Sequence, residues 1–490
     1  MFELRFLVHQ HMDQKLLKQA ALDKVLSRTC VALWFCLLLS LVCVPGAEAD
    51  SYNPVPPNGW EAYRWHNPGG WTRVNVAANG LPPDKTSIDA SKIVQDILDR
   101  YSDQRVRLHF PEGTYSFQST LSIERGNVVV SGDGPDSTKF IIDAPSDEKT
   151  KIAFEAGEEG PQVDITQPIE RGDNRISVAD ASQISAGDFL YVYKEVQVKG
   201  NTRQVGQLVR VTKSESDMLG LDMKIGLDMD EPHAVKRRIL KNVGFMDLHV
   251  ERARTAPNHT RNLHVNGAYN FFVKRVDVED VITGGIYVTM SRNGVVKSNT
   301  VHDTIGRVVG SRGDGIMLHG GATNVHVTNN RAWNLRHHYW LGAANHCVIS
   351  YNRAEKKYQA YADYGQHHGM LGHNNLFEGN YGNEIFTDGG DGPWHSPTWY
   401  ITFFRNRVKT KVGSEFKQTK FDSILGNEVL KAGGIKSAGS SSFVGANIVD
   451  GDMKWGEVKS GMKIPLSFVY DKKPSYVKAW PLYGPGAPEK

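Results

Sequence analysis

Histidine is the side chain best suited to take or give a proton near neutral pH, and in this 490-residue chain it is unevenly placed. Ten of the eighteen, His302, His319, His326, His337, His338, His346, His367, His368, His373 and His395, fall between residues 302 and 395. The same stretch carries Arg312, Asp314, Arg336, Asp363, Tyr364, Asp388 and Asp391, with Trp340 and Trp394 among them and Trp399 just beyond. Acids, bases and cations gathered in this way can move protons and bind an anion. A surface or ladder position explains any one of His302, His326, His346 and His373 more readily than chemistry does. The pairs His337-His338 and His367-His368 do not chelate a metal by themselves, because neighbouring strand residues point to opposite faces. Calcium would need several close carboxylates; Asp388 and Asp391 are too few, so no cofactor is expected.

The element that must position these groups is a repeat. Asn299, Asn330, Asn352, Asn374, Asn406, Asn427 and Asn447 each head a similar segment, at separations of 31, 22, 22, 32, 21 and 20 residues. Three residues before them stand Val296, Val327, Ile349, Leu371, Phe403, Ile424 and Val444. Two residues after them stand Val301, Ala332, Ala354, Leu376, Val408, Val429 and Val449. Two apolar columns flanking a polar one describe a coil whose same two points always face a core. A coil of about 22 residues cannot bury that face alone, so neighbours must stack at the roughly 4.8 Å spacing of paired strands. The expected fold is all-β, a single-stranded parallel β-helix. Asparagine suits its tight bend because it tolerates a left-handed backbone and can bond its amide to the next coil. Thr328 and Ser350 are expected on an outward row. The longer intervals place loops before Asn330 and Asn406, on the kind of face where solenoids commonly bind ligands.

Residues 1–49 read as a secretory signal. Val31 to Val44 is apolar, Lys24 and Arg28 precede it, and Ala47-Glu48-Ala49 supplies a small-x-small cleavage pattern. The protein is therefore expected to be exported, periplasmic or extracellular, with no membrane span after cleavage. Three of the four cysteines leave with that segment; Cys347, in register with Val325 and Ile401, is expected as a buried small hydrophobe. The remaining 52 basic and 50 acidic residues nearly cancel, which argues against nucleic acid as a partner.

Near the start of the remaining chain, Ser87-Ile88-Asp89-Ala90 opens a helical pattern with an apolar stripe of Ile88, Ile93, Ile97, Leu98 and Tyr101. A strand ending in Phe110-Pro111-Glu112-Gly113-Thr114-Tyr115 follows, then one ending in Gly132-Asp133-Gly134. This order resembles the beginning of the pectate-lyase-like superfamily of right-handed parallel β-helices. The resemblance implies that the helix caps the open end of the solenoid. The coil rhythm lapses over 162–231, where short alternating strands suggest a small inserted β subdomain. The expected organisation is a signal peptide (1–49), an N-terminal extension with capping helix and first coils (50–161), the insert (162–231), the main coils (232–450) and a C-terminal cap (451–490).

Relatives in that superfamily include lyases, hydrolases, epimerases and phage tailspikes, so the resemblance implies a polysaccharide or oligosaccharide substrate without naming the reaction. On the strand that opens each coil, the outer end collects His319, Asp363 or Tyr364, and Asp388. Equivalent positions on adjacent coils lie about 5 Å apart, close enough to converge on one sugar unit. The richness in histidine and tyrosine favours a lyase cleaving a uronate-containing polysaccharide by β-elimination. In it, His319 and Tyr364 would flank the bond, His338 and Arg312 would hold the acid group, and Asp388 would orient a partner. His368, Asp391, Trp394 and His395 complete the expected sugar-binding set. One alternative is an inverting hydrolase with two of Asp363, Asp388 and Asp391 about 6.5–9.5 Å apart; His319 and Tyr364 on different faces would favour it. Another is a non-catalytic carbohydrate-binding solenoid.

Overall fold

Each coil presents three short strands, for example Gly284–Thr289, Arg292–Lys297 and Thr300–Thr304, followed one coil later by Asp314–His319, Thr323–Thr328 and Arg331–Trp333. In the computed structural model, residues 55–144, 151–157, 159–253, 260–305, 312–355, 364–366, 371–387, 396–414, 419–438 and 441–487 are described. Every strand pairs in parallel with its counterpart, in registers such as Ile286↔Ile316, Val296↔Val327 and Val301↔Ala332. The stack has three faces, called A, B and C in chain order within a coil. Period-two alternation sends Ile316 and Leu318 of face A, Val327 of face B and Ala332 of face C into one continuous core. Helix α1 (Ala90–Arg100), capped by Asp89 accepting from Ser91 N at 3.1 Å, adds Val94, Ile97 and Leu98 to that core. Cys347 is fully buried, and burial pushes its thiol up to about 12.

The turn between faces B and C carries a continuous asparagine ladder: Asn299, Asn330, Asn352, Asn380, Asn406, Asn427 and Asn447. From Asn330 on, each Oδ1 accepts from the backbone N–H and the amide of the asparagine one coil earlier, as Asn330 does from Asn299 at 2.8 and 3.0 Å. Each amide also donates to the carbonyl three residues before that earlier asparagine, as Asn352 does to Val327 O at 3.0 Å. One rung differs from the sequence expectation. Asn380, not Asn374, is the ladder residue, and the intervals on either side are 28 and 26. Phe377 decides this, because its ring fills the core against Phe403 (centroids 5.4 Å) and stands three residues before Asn380. Asn374 instead sits at the corner between faces A and B with φ 55°, donating to Gly226 O at 2.9 Å. Leu371 likewise leaves the core column and packs on Val205 and Leu227 of the insert.

The insert spans Glu159 to Arg237, wider than expected because strand Glu159–Val163 pairs antiparallel with Pro232–Arg237. Its six strands form a separate sheet with its own core around Ile176, Leu190, Val209 and Leu219. It lies over the corner between faces A and B, where Leu208 N donates to Thr323 Oγ1 at 3.0 Å and Asn345 Nδ2 to Gly206 O at 2.8 Å.

Face B is covered by both terminal segments. Trp60 Nε1 donates to Asn374 O at 2.8 Å and Tyr63 Oη to Asn270 Oδ1 at 2.9 Å. The C-terminal segment does not merely cap the last coil, as expected of 451–490. After strand Asp452–Gly456 pairs with Phe443–Val449, the chain runs back along face B. Buried Glu378 accepts from Ser467 Oγ and Phe468 N, and Tyr470 Oη meets Ser350 Oγ at 2.9 Å. Thr328 and Ser350 therefore point outward and are nonetheless buried. Faces A and C remain for function.

Candidate functional site

On face A the outward residues of successive coils are His264, Tyr287, Met317 and Trp340, with Asn266, Thr289, His319 and Gly342 one alternation further along. Their rings form a line. His264 and Tyr287 centroids lie 5.0 Å apart, Tyr287 and His319 6.1 Å, His319 and Trp340 5.1 Å. The Arg261 guanidinium lies 4.4 Å from the Tyr287 ring centroid. His264 Nε2 and Thr289 Oγ1 share a hydrogen bond of 2.8 Å. Tyr287 and Trp340 each expose only 8% of their surface and His264 7%, whereas His319 is partly buried, so His319 is the more accessible imidazole of this line.

Burial, reinforced by Arg261 and Arg203, lowers His319 to about 4. Burial, with Lys151 and Arg261, holds His264 well below the usual histidine value. Burial raises the Tyr287 phenol, against the opposing pull of Arg261. At neutral pH this face therefore offers neutral imidazoles and a protonated phenol beside fixed cations. An anion bound there would meet positive charge and could exchange protons with both ring types.

Only part of the expected site assembles. His319 stands on face A as expected. Tyr364 does not: it is fully buried in the core, its ring stacked on Tyr339 at 4.5 Å and its hydroxyl donated to Tyr381 O at 2.9 Å. The register explains this, since Tyr364 pairs with core-facing Tyr339 and so shares its side of the strand. His338 is also fully buried, with Nε2 3.0 Å from Glu355 O, at the corner where face C leads into face A. Arg312 is half-buried just ahead of strand Asp314–His319. Asp314 is buried, and burial, only partly offset by Arg336, raises its carboxyl to about 7. Asp363, His368, Asp388, Asp391, Trp394 and His395 lie outside the described residues.

Tyr287, His264 and Arg261 were missed from sequence. Parity was the signal that could have found them: once Leu318 is placed inside, Val288 follows, and Tyr287 must point the same way as Met317 and His319.

Face C carries a second cluster that sequence reading also missed. His249 Nδ1 lies 3.0 Å from Asp277 Oδ2, and Asp277 Oδ1 lies 3.2 Å from His302 Nε2. Glu251, Glu279 and Asp303 complete it, and the His302 ring stacks on Trp333 at 4.4 Å. Burial opposes charge on His302, but hydrogen bonds to Asp277 and Asp303 outweigh it and raise the imidazole to about 9. His249, Glu251 and Glu279, or Glu279, His302 and Asp303, bring ligand atoms within 4.8 Å of one another and could hold a divalent cation.

Residues 250–398 match a protein family described as "Right handed beta helix region". No curated protein sequence matches the chain. Among solved structures, a tailspike of Acinetobacter baumannii bacteriophage AP22 in complex with A. baumannii capsular saccharide is similar at 14% identity and a TM-score of 0.48. The match covers 76% of this chain and 65% of that one, just under two thirds of its length. The tailspike of Pseudomonas phage LKA1 is similar at 13% identity and a TM-score of 0.47, covering 77% and 83% of the two chains. The A-module of an Azotobacter vinelandii mannuronan C-5 epimerase is similar at 11% identity and a TM-score of 0.37, covering 77% and 99%.

Proposed function

We propose that this right-handed parallel β-helix protein is a carbohydrate-active enzyme, a lyase that cleaves a uronate-containing polysaccharide by β-elimination on face A. One observation carries the reading: a neutral imidazole, His319, and a protonated phenol, Tyr287, stand on adjacent coils with the Arg261 guanidinium against the phenol ring. In β-elimination a base removes the proton beside the sugar carboxylate, a cation stabilises the resulting carbanion, and an acid protonates the leaving oxygen. His319 takes the first part, Arg261 the second and Tyr287 the third. The Trp340 ring beside His319 offers an aromatic edge to a pyranose. Because Tyr364 faces the core, the expected pairing of His319 with Tyr364 no longer supports a lyase, and the reading rests instead on Tyr287 beside His319.

The reading is tested by incubating the protein with uronate-containing and neutral polysaccharides while following the ultraviolet absorbance of the unsaturated product and the appearance of reducing ends. Both signals on a uronate substrate support it. Tyr287→Phe and His319→Ala should then each lower turnover about a hundredfold or more, the usual contribution of a positioned acid or base, with melting unchanged. Reducing ends without absorbance would make the protein a hydrolase and return the chemistry to Asp363, Asp388 and Asp391.

A further inference from the structure

Where the insert rejoins the coils, a cleft of about 490 Å³ opens between Glu159–Pro161, Gln183, Gly187–Phe189 and the run Lys236–Ile239 with Lys241. Four cations, Lys236, Arg237, Arg238 and Lys241, line it against two carboxylates, Glu159 and Asp188. Both carboxylates are already engaged: Asp188 lies 2.7 Å from Lys236 Nζ, and Glu159 pairs with Arg237. The other two cations have no carboxylate partner among the described residues. Arg238 Nη2 donates to Glu124 O at 2.9 Å, and Lys241 Nζ stands 5.9 Å from the Phe189 ring centroid. Both side chains are exposed at the cleft.

We infer that this cleft is a binding subsite for acidic sugar units, in which Arg238 and Lys241 pair with a sugar carboxylate. The mixed lining favours a sugar acid over a phosphodiester chain. Sugar hydroxyls can donate to Glu159, Asp188 and the Gln183 side chain, whereas those same carboxylates would repel closely spaced phosphates. The volume lies within the roughly 300–1,000 Å³ of small-ligand sites, room for a short stretch of a chain.

Position ties the cleft to face A. Arg238 Nη1 lies against Gly157, where an added Cβ would stand 2.8 Å from it, and Gly157 follows Glu155 at the end of a face A strand. Glu155, Asn266, Thr289 and His319 share one register through three coil steps, about 14 Å at the usual strand spacing. A glycan laid across the coils from His319 would therefore reach the cleft a few sugar units away. The inference rests on the uronate reading of face A for its ligand class.

The test uses the full-length protein with oligogalacturonate, oligomannuronate and oligoglucuronate, and with neutral oligosaccharide, inorganic phosphate and single-stranded RNA as competing probes. Binding is measured by calorimetry in a His319→Ala background, turnover in the otherwise wild-type chain. The double variant R238Q/K241Q should weaken binding of the preferred acidic oligosaccharide about tenfold, and the difference should fade at high salt. It should raise KM for long chains with kcat unchanged. K241Q alone, an exposed change that leaves the Arg238 contact intact, should show a smaller shift of the same sign. Unchanged KM and affinity in both variants would overturn the cleft while leaving the face A chemistry standing. Variant-sensitive binding of an acidic oligosaccharide without turnover by the wild type would uphold the cleft and sink the lyase reading. Tighter binding of phosphate or RNA than of any acidic oligosaccharide would overturn the assignment to sugars.

Discussion

The asparagine ladder makes a quantitative prediction. Asn352 donates from Nδ2 to Val327 O at 3.0 Å and to Asn380 Oδ1 at 3.1 Å, and its Oδ1 accepts from Asn330 N at 3.0 Å and Asn330 Nδ2 at 2.9 Å. All of these atoms belong to buried contacts. Asn352→Ala therefore strands two donors of Asn330 and the ladder contact of one carbonyl, while Asn380 Oδ1 keeps its bond from Asn352 N at 3.0 Å. At about 1–3 kcal/mol for each buried group left unpaired, the loss is about 3–9 kcal/mol, with water entering the vacated space favouring the lower end. Against a total of about 5–15 kcal/mol for a typical domain, that is a large fraction. Asn329→Gly is the control. It loses one bond, Nδ2 to Ser298 Oγ at 2.9 Å, at a φ of 55° that glycine adopts freely, so about 1 kcal/mol or less is expected. Urea unfolding followed by circular dichroism measures both. Asn380→Ala should resemble Asn352→Ala, and Asn374→Gly, which loses the bonds of Nδ2 to Gly226 O and His373 Nδ1 at a φ of 55° that glycine adopts freely, should cost less. A loss for Asn352→Ala no larger than for Asn329→Gly would show that the ladder does not stabilise the turn as argued.

Further predictions concern the site and the tail. If neutral His319 is the base, kcat/KM should fall as the pH drops through about 4, where the imidazole gains its proton, and His319→Ala should abolish that limb. Tyr364→Phe should leave turnover unchanged and cost about 0.5–1.5 kcal/mol for its lost bond to Tyr381 O, read by urea unfolding; a catalytic effect would contradict its core placement. Burial raises Glu378 to about 7 against its bonds from Ser467, Phe468 and Tyr351. Because the folded value exceeds the unfolded one, the stabilisation is complete below the usual glutamate range and is lost as pH rises through about 7. Glu378→Gln should flatten that part of the stability profile. Arg405 donates to Pro465 O and Pro485 O, each at 2.8 Å, so Arg405→Leu should free the C-terminal segment to limited proteolysis before the coils. Equal resistance of variant and wild type would argue against this anchor.

By itself the sequence was enough to determine the coil. Columns such as Val327 and Ile349, three residues before a buried asparagine, are local in spacing and survive any arrangement of the loops, because every coil must bury the same two points. The burial of Cys347 and the existence of an inserted sheet were legible for the same reason: each follows from patterns within a few tens of residues. What only the tertiary structure decided is register after an interruption. In the stretch from His373 to Asn380 stand three asparagines, Asn374, Asn375 and Asn380, and it is the fit of the Phe377 ring on Phe403 that puts Asn380 on the ladder. A one-residue difference in parity sends Tyr364 inward while His319 and Tyr287 point outward, and nothing in the loop lengths reveals which parity a strand takes. The clusters on both open faces have the same origin. His249, Asp277 and His302 lie on three different coils, as do His264, Tyr287 and His319, and strand pairing at a few ångströms is what turns distant residues into neighbours.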